Sequence, residues 1–198
     1  MEQYRAEIYP DPGNKEDEKS NNSKRFILDF VETIALSVIL FLGINFISAR
    51  IRVESISMQP TLYAGNFVIV NKLAYKIGQP ARGDIIVFHY PPDPQREPYI
   101  KRVIGLPGDQ ISVNGGFVYI NGEPLGEPYI NAQPNYQGNW VISDGELFVL
   151  GDNRNRSSDS HSWGTVPLEN VIGKALVVYW PPESWKLLDY NTAIAAPP

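Results

Sequence analysis

Ser57 and Lys101 are the residues whose types and surroundings most readily support chemistry. A serine hydroxyl is a weak nucleophile until a neighbouring group accepts its proton. The chain has no cysteine and only two histidines, His89 and His161, neither in an arrangement that suggests a triad. A lysine can be the base instead, provided that burial disfavours its ammonium form. Ser57 lies in Glu54-Ser55-Ile56-Ser57-Met58-Gln59-Pro60-Thr61-Leu62, and Lys101 opens the run Lys101-Arg102-Val103-Ile104-Gly105-Leu106-Pro107-Gly108-Asp109. In a strand Lys101 would share a face with Tyr99 and Val103, and Arg102 with Ile100 and Ile104. Periodicity does not choose between the two; chemistry does, because arginine stays protonated in proteins. Taken singly, each residue has an ordinary explanation. Lys101 would lay its stem on apolar surface with its ammonium in water, and Ser57 would cap the turn before Pro60.

The composition excludes several other classes of function. A net charge of -5 without a basic cluster argues against nucleic acid as a partner, since that affinity depends on grouped lysine and arginine. With no cysteine, disulfides and thiolate metal sites are out, and the two histidines show no metal-binding spacing. We therefore expect no cofactor and no metal.

These residues need elements to position them. Phe26 to Ser48 reads FILDFVETIALSVILFLGINFIS, long enough to cross a hydrocarbon core of roughly 30 Å as a helix. Asp29 and Glu32 near its start belong at the interface, leaving Thr33 to Ile47 as the strongly apolar part. A cleaved signal peptide fits less well, because Ile47 is not a small residue at the required place before Ala49 and the Ser57 motif follows too closely. Residues 24–49 are therefore expected to be a retained transmembrane helix. Residues 1–23 are polar and charged and read as a disordered tail. Lys15, Lys19, Lys24 and Arg25 before the span, against Arg50 and Arg52 after it, favour a cytoplasmic N-terminus and an extracytoplasmic domain.

Beyond Arg50 short β-branched and aromatic runs recur between turn residues, among them Phe67–Val70, Asp84–Phe88, Gly116–Ile120 and Leu147–Leu150. Sixteen glycines and seventeen prolines suit many short strands and would break long helices. Asn114-Gly115-Gly116 is a hairpin signal, and Asn121-Gly122 is another. The expected fold is mainly β over residues 50–190, with a small β subdomain at about 110–146 and a flexible tail at 191–198. Trp140, Trp163, Trp180 and Trp185 are open to two uses, seating the domain at a membrane interface or ordinary packing.

In combination the motifs resemble those of type I signal peptidases, membrane-anchored serine proteases with a Ser/Lys dyad. The pattern from Ser57 to Leu62 matches that family's nucleophile motif. Arg82-Gly83-Asp84-Ile85-Ile86-Val87-Phe88 matches its next motif, and the run from Lys101 to Asp109 matches its base motif. A fourth match is Gly151-Asp152-Asn153-Arg154-Asn155-Arg156-Ser157-Ser158-Asp159-Ser160. The resemblance runs from the membrane segment to about residue 180. It implies a signal-peptidase-like β fold, with Ser57 as nucleophile and Lys101 as general base. By the same resemblance the Ser57 N–H and the Ser55 hydroxyl stabilise the oxyanion, Ser157 hydrogen-bonds and orients the lysine, Asp159 braces the loop, and Asp152 pairs with Arg102. The chain departs from many relatives at Asn155-Arg156, where Asp-Asn is common, and at His161, where arginine is common. A structural role is expected for His161, with a pairing to Asp159 that depends on pH.

The implied activity is removal of N-terminal signal peptides from secretory pre-proteins after small residues, in an Ala-x-Ala-like pattern, through an acyl-enzyme. The implied partners are those pre-proteins and membrane lipid, and the implied form is a monomer in the cell membrane with a single span. A peptide could pair with an exposed strand such as that of Asp84 to Phe88. Two competitors were weighed. A self-cleaving repressor-type Ser/Lys protease would be soluble and carry a DNA-binding module. A membrane-anchored β domain that binds extended peptides without cleaving them would not need a nucleophile beside a base.

Overall fold

The computed structural model describes the backbone of residues 13–188 and side chains from residue 24 onward. Its first unit is a helix, α1 (Gly13–Ile47). Within it the segment Lys24–Ile47 is strongly apolar and exposed along its length. Large apolar side chains such as Phe30, Leu36, Phe41 and Leu42 are exposed all round the helix. At 1.5 Å per residue those 24 residues reach about 36 Å, enough to span a bilayer. The polar side chains in this stretch bond their own backbone: Thr33 donates to the Asp29 carbonyl (2.7 Å), Ser37 to Thr33 (2.7 Å) and Asn45 to Phe41 (2.9 Å). Such bonds leave no hydroxyl or amide unsatisfied in a medium without water.

The helix differs from the sequence expectation at both ends. It begins at Gly13, although 13–23 were expected to be part of a disordered tail. The apolar run supplies the costly nucleus, and adding good helix formers such as Lys and Glu to an existing helix is easy. It ends at Ile47 rather than 49, because Ser48 opens a strand. Residues 1–12 and 189–198 lie outside the described residues, and with them the rest of the N-terminal tail and the expected tail at 191–198.

The second unit is built on two antiparallel sheets. The first contains β1 (Ser48–Arg52), β2 (Phe67–Asn71), β3 (Ile85–Phe88) and β4 (Tyr99–Gly105). A short helix, α2 (Ala74–Ile77), follows β2. The chain then forms the second sheet from β5 (Gln110–Asn114), β6 (Phe117–Ile120), β7 (Glu123–Pro124) and β8 (Gly138–Val141). It returns to the first sheet with β9 (Glu146–Leu150), the helix α3 (Ser160–Trp163), β10 (Val166–Pro167), β11 (Val171–Trp180) and β12 (Lys186–Leu187). Strand order is β1-β2-β11-β3-β4-β9-β10 in the first, with β12 beside β11, and β7-β6-β5-β8 in the second. The mainly β expectation holds.

Both turn signals form hairpins. Asn114 pairs with Phe117 across a two-residue loop in which Gly115 and Gly116 have φ of 59° and 85°. Ile120 pairs with Glu123 across Asn121 and Gly122, with φ of 53° and 88°. Positive φ at both central residues matches the twist of the flanking strands.

One apolar cluster, with Val68, Val70, Ile85, Val87, Ala175 and Val178, lies against β2, β3 and β11, and a second fills the small sheet around Ile111, Val113 and Val118. The tryptophans differ in burial. Trp140 packs on Phe148 at 5.0 Å, and Trp163 meets Tyr90 edge-on at 5.5 Å, whereas Trp180 and Trp185 are exposed.

Candidate active site

Ser57 stands in a tight turn just beyond β1. Val53 is tied to the 65–66 turn by bonds of 2.8 Å in each direction, and Leu62 N–H donates to the Met58 carbonyl at 2.8 Å. Met58 and Leu62 are both fully buried in the first apolar cluster. These two anchors flank the nucleophile turn, so its position is fixed by core packing as much as by hydrogen bonds.

Lys101 lies in β4, opposite Ile86 of β3. Its Nζ donates to Ser57 Oγ at 2.8 Å and to the Ile100 carbonyl at 3.1 Å. Only 4% of Lys101 and 5% of Ser57 is exposed, so the pair is nearly shut off from solvent. The Tyr99 ring stands 5.2 Å from Nζ. Burial pushes the Lys101 pKa down from 10.5 to about 8, against the opposing pull of Asp159 and Asp152. The neutral amine that a base requires is thus accessible near neutral pH.

The Ser55 hydroxyl lies 3.0 Å from Ser57 Oγ, beside the reacting atom. Arg102, on the opposite side of β4 from Lys101, forms a fork with Asp152: Nε to Oδ1 at 2.8 Å and Nη2 to Oδ2 at 2.7 Å. Thr61 completes this group, donating to Asp152 and accepting from Arg102 Nη2 at 3.2 Å. Asp159 is fully buried and caps α3. One oxygen accepts from Gly151 N–H at 2.9 Å and the other lies 2.6 Å from His161 Nδ1. His161 therefore pairs with Asp159, and its ring stacks on Tyr136 at 3.9 Å.

Ser157 is the exception. Its hydroxyl is buried without a hydrogen-bond partner and makes no bond to Lys101. It packs instead against Gly151, where an added Cβ would come within 2.2 Å of Ser157 Oγ and 2.5 Å of the Ser57 carbonyl oxygen. Only glycine fits at that crossing. The expected strand for peptide pairing also needs correction. All of β3 is buried and both its edges are taken, by β11 and β4. A cleft of about 470 Å³ lies instead between residues 50–57 and 97–101, with Arg156 and Ser158 also lining it.

Residues 27–180 match the model of the family described as signal peptidase, peptidase S26. The chain belongs to this family. It is 48% identical over 164 residues to signal peptidase I of Leptolyngbya laminosa, covering 78% of this chain and 80% of that protein. It is 44% identical over 161 residues to the probable signal peptidase I-2 of Synechocystis sp., covering 78% of this chain and 73% of the other. A crystal structure of a signal peptidase I from Enterococcus faecalis is 33% identical and aligns with a TM-score of 0.45, covering 49% of this chain and 97% of that one.

Within this member of the signal peptidase family, five residues contribute to the site without a role assigned from the sequence: Thr61, Asn153 and Arg154, which lie inside matched motifs, and Glu127 and Tyr129, which lie outside them. Asn153 N–H donates to the Ser57 carbonyl at 2.9 Å, and its side-chain amide donates to the Ile56 carbonyl at 3.2 Å. Arg154 is buried and bonded to Glu127. Tyr129 lays its ring 4.0 Å from the Arg102 guanidinium. The stretch 110–146 was expected to carry no charged constellation; Glu127 joins it to one. Nothing in the spacing of Glu127 and Arg154, 27 residues apart, announces their pairing.

Displacing the lysine's titration has a consequence for stability. Below about pH 8 the folded protein holds a buried ammonium that the unfolded chain solvates freely. Between about 8 and 10.5 the folded lysine is neutral while the unfolded one still binds a proton, so stability rises with pH across that window. A fall from 10.5 to about 8 amounts to about 3 kcal/mol, at about 1.4 kcal/mol for each pH unit. Lys101→Met should therefore unfold at a higher Tm than the parent at pH 7, with its advantage shrinking by about that amount as pH rises to 10.5. Thermal unfolding at several pH values is the measurement, and a difference that stays flat with pH would contradict the displaced titration.

Proposed function

We propose that this signal peptidase family member is a type I signal peptidase that cleaves signal peptides from exported pre-proteins with Ser57 as nucleophile and Lys101 as general base. The observation that carries the proposal is the buried 2.8 Å contact between Lys101 Nζ and Ser57 Oγ. Neutral Lys101 takes the Ser57 proton as Oγ bonds to the scissile carbonyl carbon. The carbon–nitrogen bond then breaks, and Lys101 passes its proton to the leaving amine. Water, deprotonated by Lys101, attacks the ester carbonyl, and the ester C–O bond breaks as Lys101 returns the proton to Ser57 Oγ, freeing the carboxylic acid product. The Ser55 hydroxyl and the Ser57 N–H are the donors for the developing oxyanion.

The cleft supplies two backbone edges for an extended peptide. Residues 99–101 pair with β3 on one side, and β4 meets β9 only from Arg102 onward. Residues 54–56 follow β1 without a strand partner. A substrate strand laid between them places alternate side chains into the floor, and small residues one and three positions before the cut suit a site this close to the core. The anchor places the domain at the membrane surface where precursors emerge, with the N-terminus in the cytoplasm and the catalytic domain outside it. The enzyme acts as a monomer and needs no cofactor.

The experiment is cleavage of a precursor with an Ala-x-Ala site by the full chain in detergent, with the new N-terminus sequenced. The parent should cut after the alanine, and kcat/KM should rise with pH to a plateau above about pH 8, following the neutral fraction of Lys101. Ser57→Ala and Lys101→Met should each lose about 10⁴-fold or more. Binding without cleavage by folded parent would favour a peptide-binding domain instead. Ser55→Ala should lower kcat by about 100-fold while KM stays near the parent's, since the donor acts on charge that develops only in the transition state. An equal loss in substrate binding would place Ser55 in ground-state recognition.

A further inference from the structure

The segment from Glu127 to Tyr136, between β7 and β8 of the small sheet, clasps the loop that follows β9. Arg154 is the centre of this clasp and is 1% exposed. Both of its terminal nitrogens donate to the two oxygens of Glu127, Nη1 at 2.7 Å and Nη2 closer still. The Tyr129 hydroxyl donates to the same carboxylate at 2.8 Å, and burial, with Glu127 beside it, pushes the phenol far above its ordinary range. It therefore stays neutral. Asn155 adds two further bonds, accepting from Asn135 N–H and donating to the Gln133 carbonyl, each at 2.9 Å.

The other end of Arg154 leads to the nucleophile. Its Nε donates to the Gly151 carbonyl at 3.1 Å. Gly151 is packed against the Ser57 carbonyl, and the adjoining Asn153 holds the Ser57 and Ile56 carbonyls through its N–H and its amide. The loop therefore grips the backbone of the nucleophile, and Glu127 grips the loop. Without Glu127 a buried guanidinium would lose its carboxylate while standing across the Tyr129 ring from a second guanidinium, Arg102. A buried cation in that position draws in water or moves.

We propose that Glu127 is a positioning residue for Ser57, acting through Arg154 and the 151–157 loop. The proposal rests on the assignment of Ser57 as nucleophile. Because the loop holds the Ser57 carbonyl directly and meets the 54–56 edge only at Ile56, the effect falls on the chemical step more than on peptide binding.

The test is steady-state cleavage of an Ala-x-Ala precursor by the full chain in detergent at pH 8.5, with folding followed by thermal unfolding. Glu127→Gln should lower kcat by tenfold or more while KM changes less than threefold, and Glu127→Asp should recover part of the loss. The double variant Glu127→Gln with Arg154→Gln should lose at least as much kcat as Glu127→Gln alone, because it also removes the Arg154 bond to the Gly151 carbonyl. Tyr129→Phe keeps the ring over Arg102 and removes the hydroxyl's bonds to Glu127 and Arg154; it should lose kcat severalfold. A folded Glu127→Gln with parental kcat and a lower Tm would show a purely structural clasp and overturn the proposal. Should that single variant fail to fold, parental kcat in both the double variant and Tyr129→Phe would overturn it equally. A folded parent that cleaves nothing would instead remove the peptidase assignment itself, an outcome distinct from the others.

Discussion

The burial of one amine sets the terms for the rest of this domain. On the proposed reading Lys101 takes a proton from Ser57 only while its own nitrogen is neutral, and burial lowers its pKa to about 8, so that the neutral form is reached near that pH. The surroundings of Lys101 are the middle of the first sheet, where β4 lies between β3 and β9 and most of its residues are inaccessible. A lysine there costs stability whenever it is charged. The same cost makes the lysine useful as a base, so function and stability pull in opposite directions at this residue.

Several charges close to Lys101 work against its neutral form, and the structure contains their effect by pairing them. Asp152 and Asp159 both favour the ammonium, yet burial prevails. Asp152 is taken up by the two-bond fork from Arg102 and by Thr61. Asp159 is occupied by the Gly151 N–H, the α3 N-terminus and His161. Each carboxylate is thus engaged with partners other than Lys101. The cost is a chain of buried polar groups running from Asp152 through Arg102 and the Tyr129 ring to Arg154 and Glu127. Such a network is stable only when every member is satisfied, which makes it a rigid frame for the loop it holds.

The sequence made the outline of this arrangement legible for physical reasons. A run without charge from Thr33 to Ile47 has few uses besides a membrane helix, and Asn121-Gly122 permits a tight turn that few other pairs allow. Ser57 and Lys101 stood out because cysteine is absent and histidine rare, and because ordered motifs surrounded both. Long-range polar pairing was not legible. Glu127 lies among Gly, Pro and Asn in a stretch that reads as surface, and only the fold brings it under Arg154. The strand chosen for peptide pairing, Asp84 to Phe88, failed for a related reason. Its continuous apolar character marks a strand buried on both faces, and a strand in the middle of a sheet has no free edge to offer.

The open edges occur where the chain leaves the sheet. Beyond Arg52 the chain stops pairing with β2 in register, and before Arg102 the strand β4 has no partner toward β9. Exposed backbone edges invite unwanted pairing with other chains, and here they are short and face each other across a cleft. A peptide that enters can satisfy both edges only if its own backbone is extended. That requirement selects unfolded segments over folded ones before any side chain is examined. Ser57 lies at the end of one edge and Lys101 at the end of the other, so on the proposed reading a peptide that completes the pairing brings its carbonyl to these two residues. Recognition by main chain and attack on main chain would then use the same few residues, with sequence preference left to whatever side chains the floor of the cleft accepts.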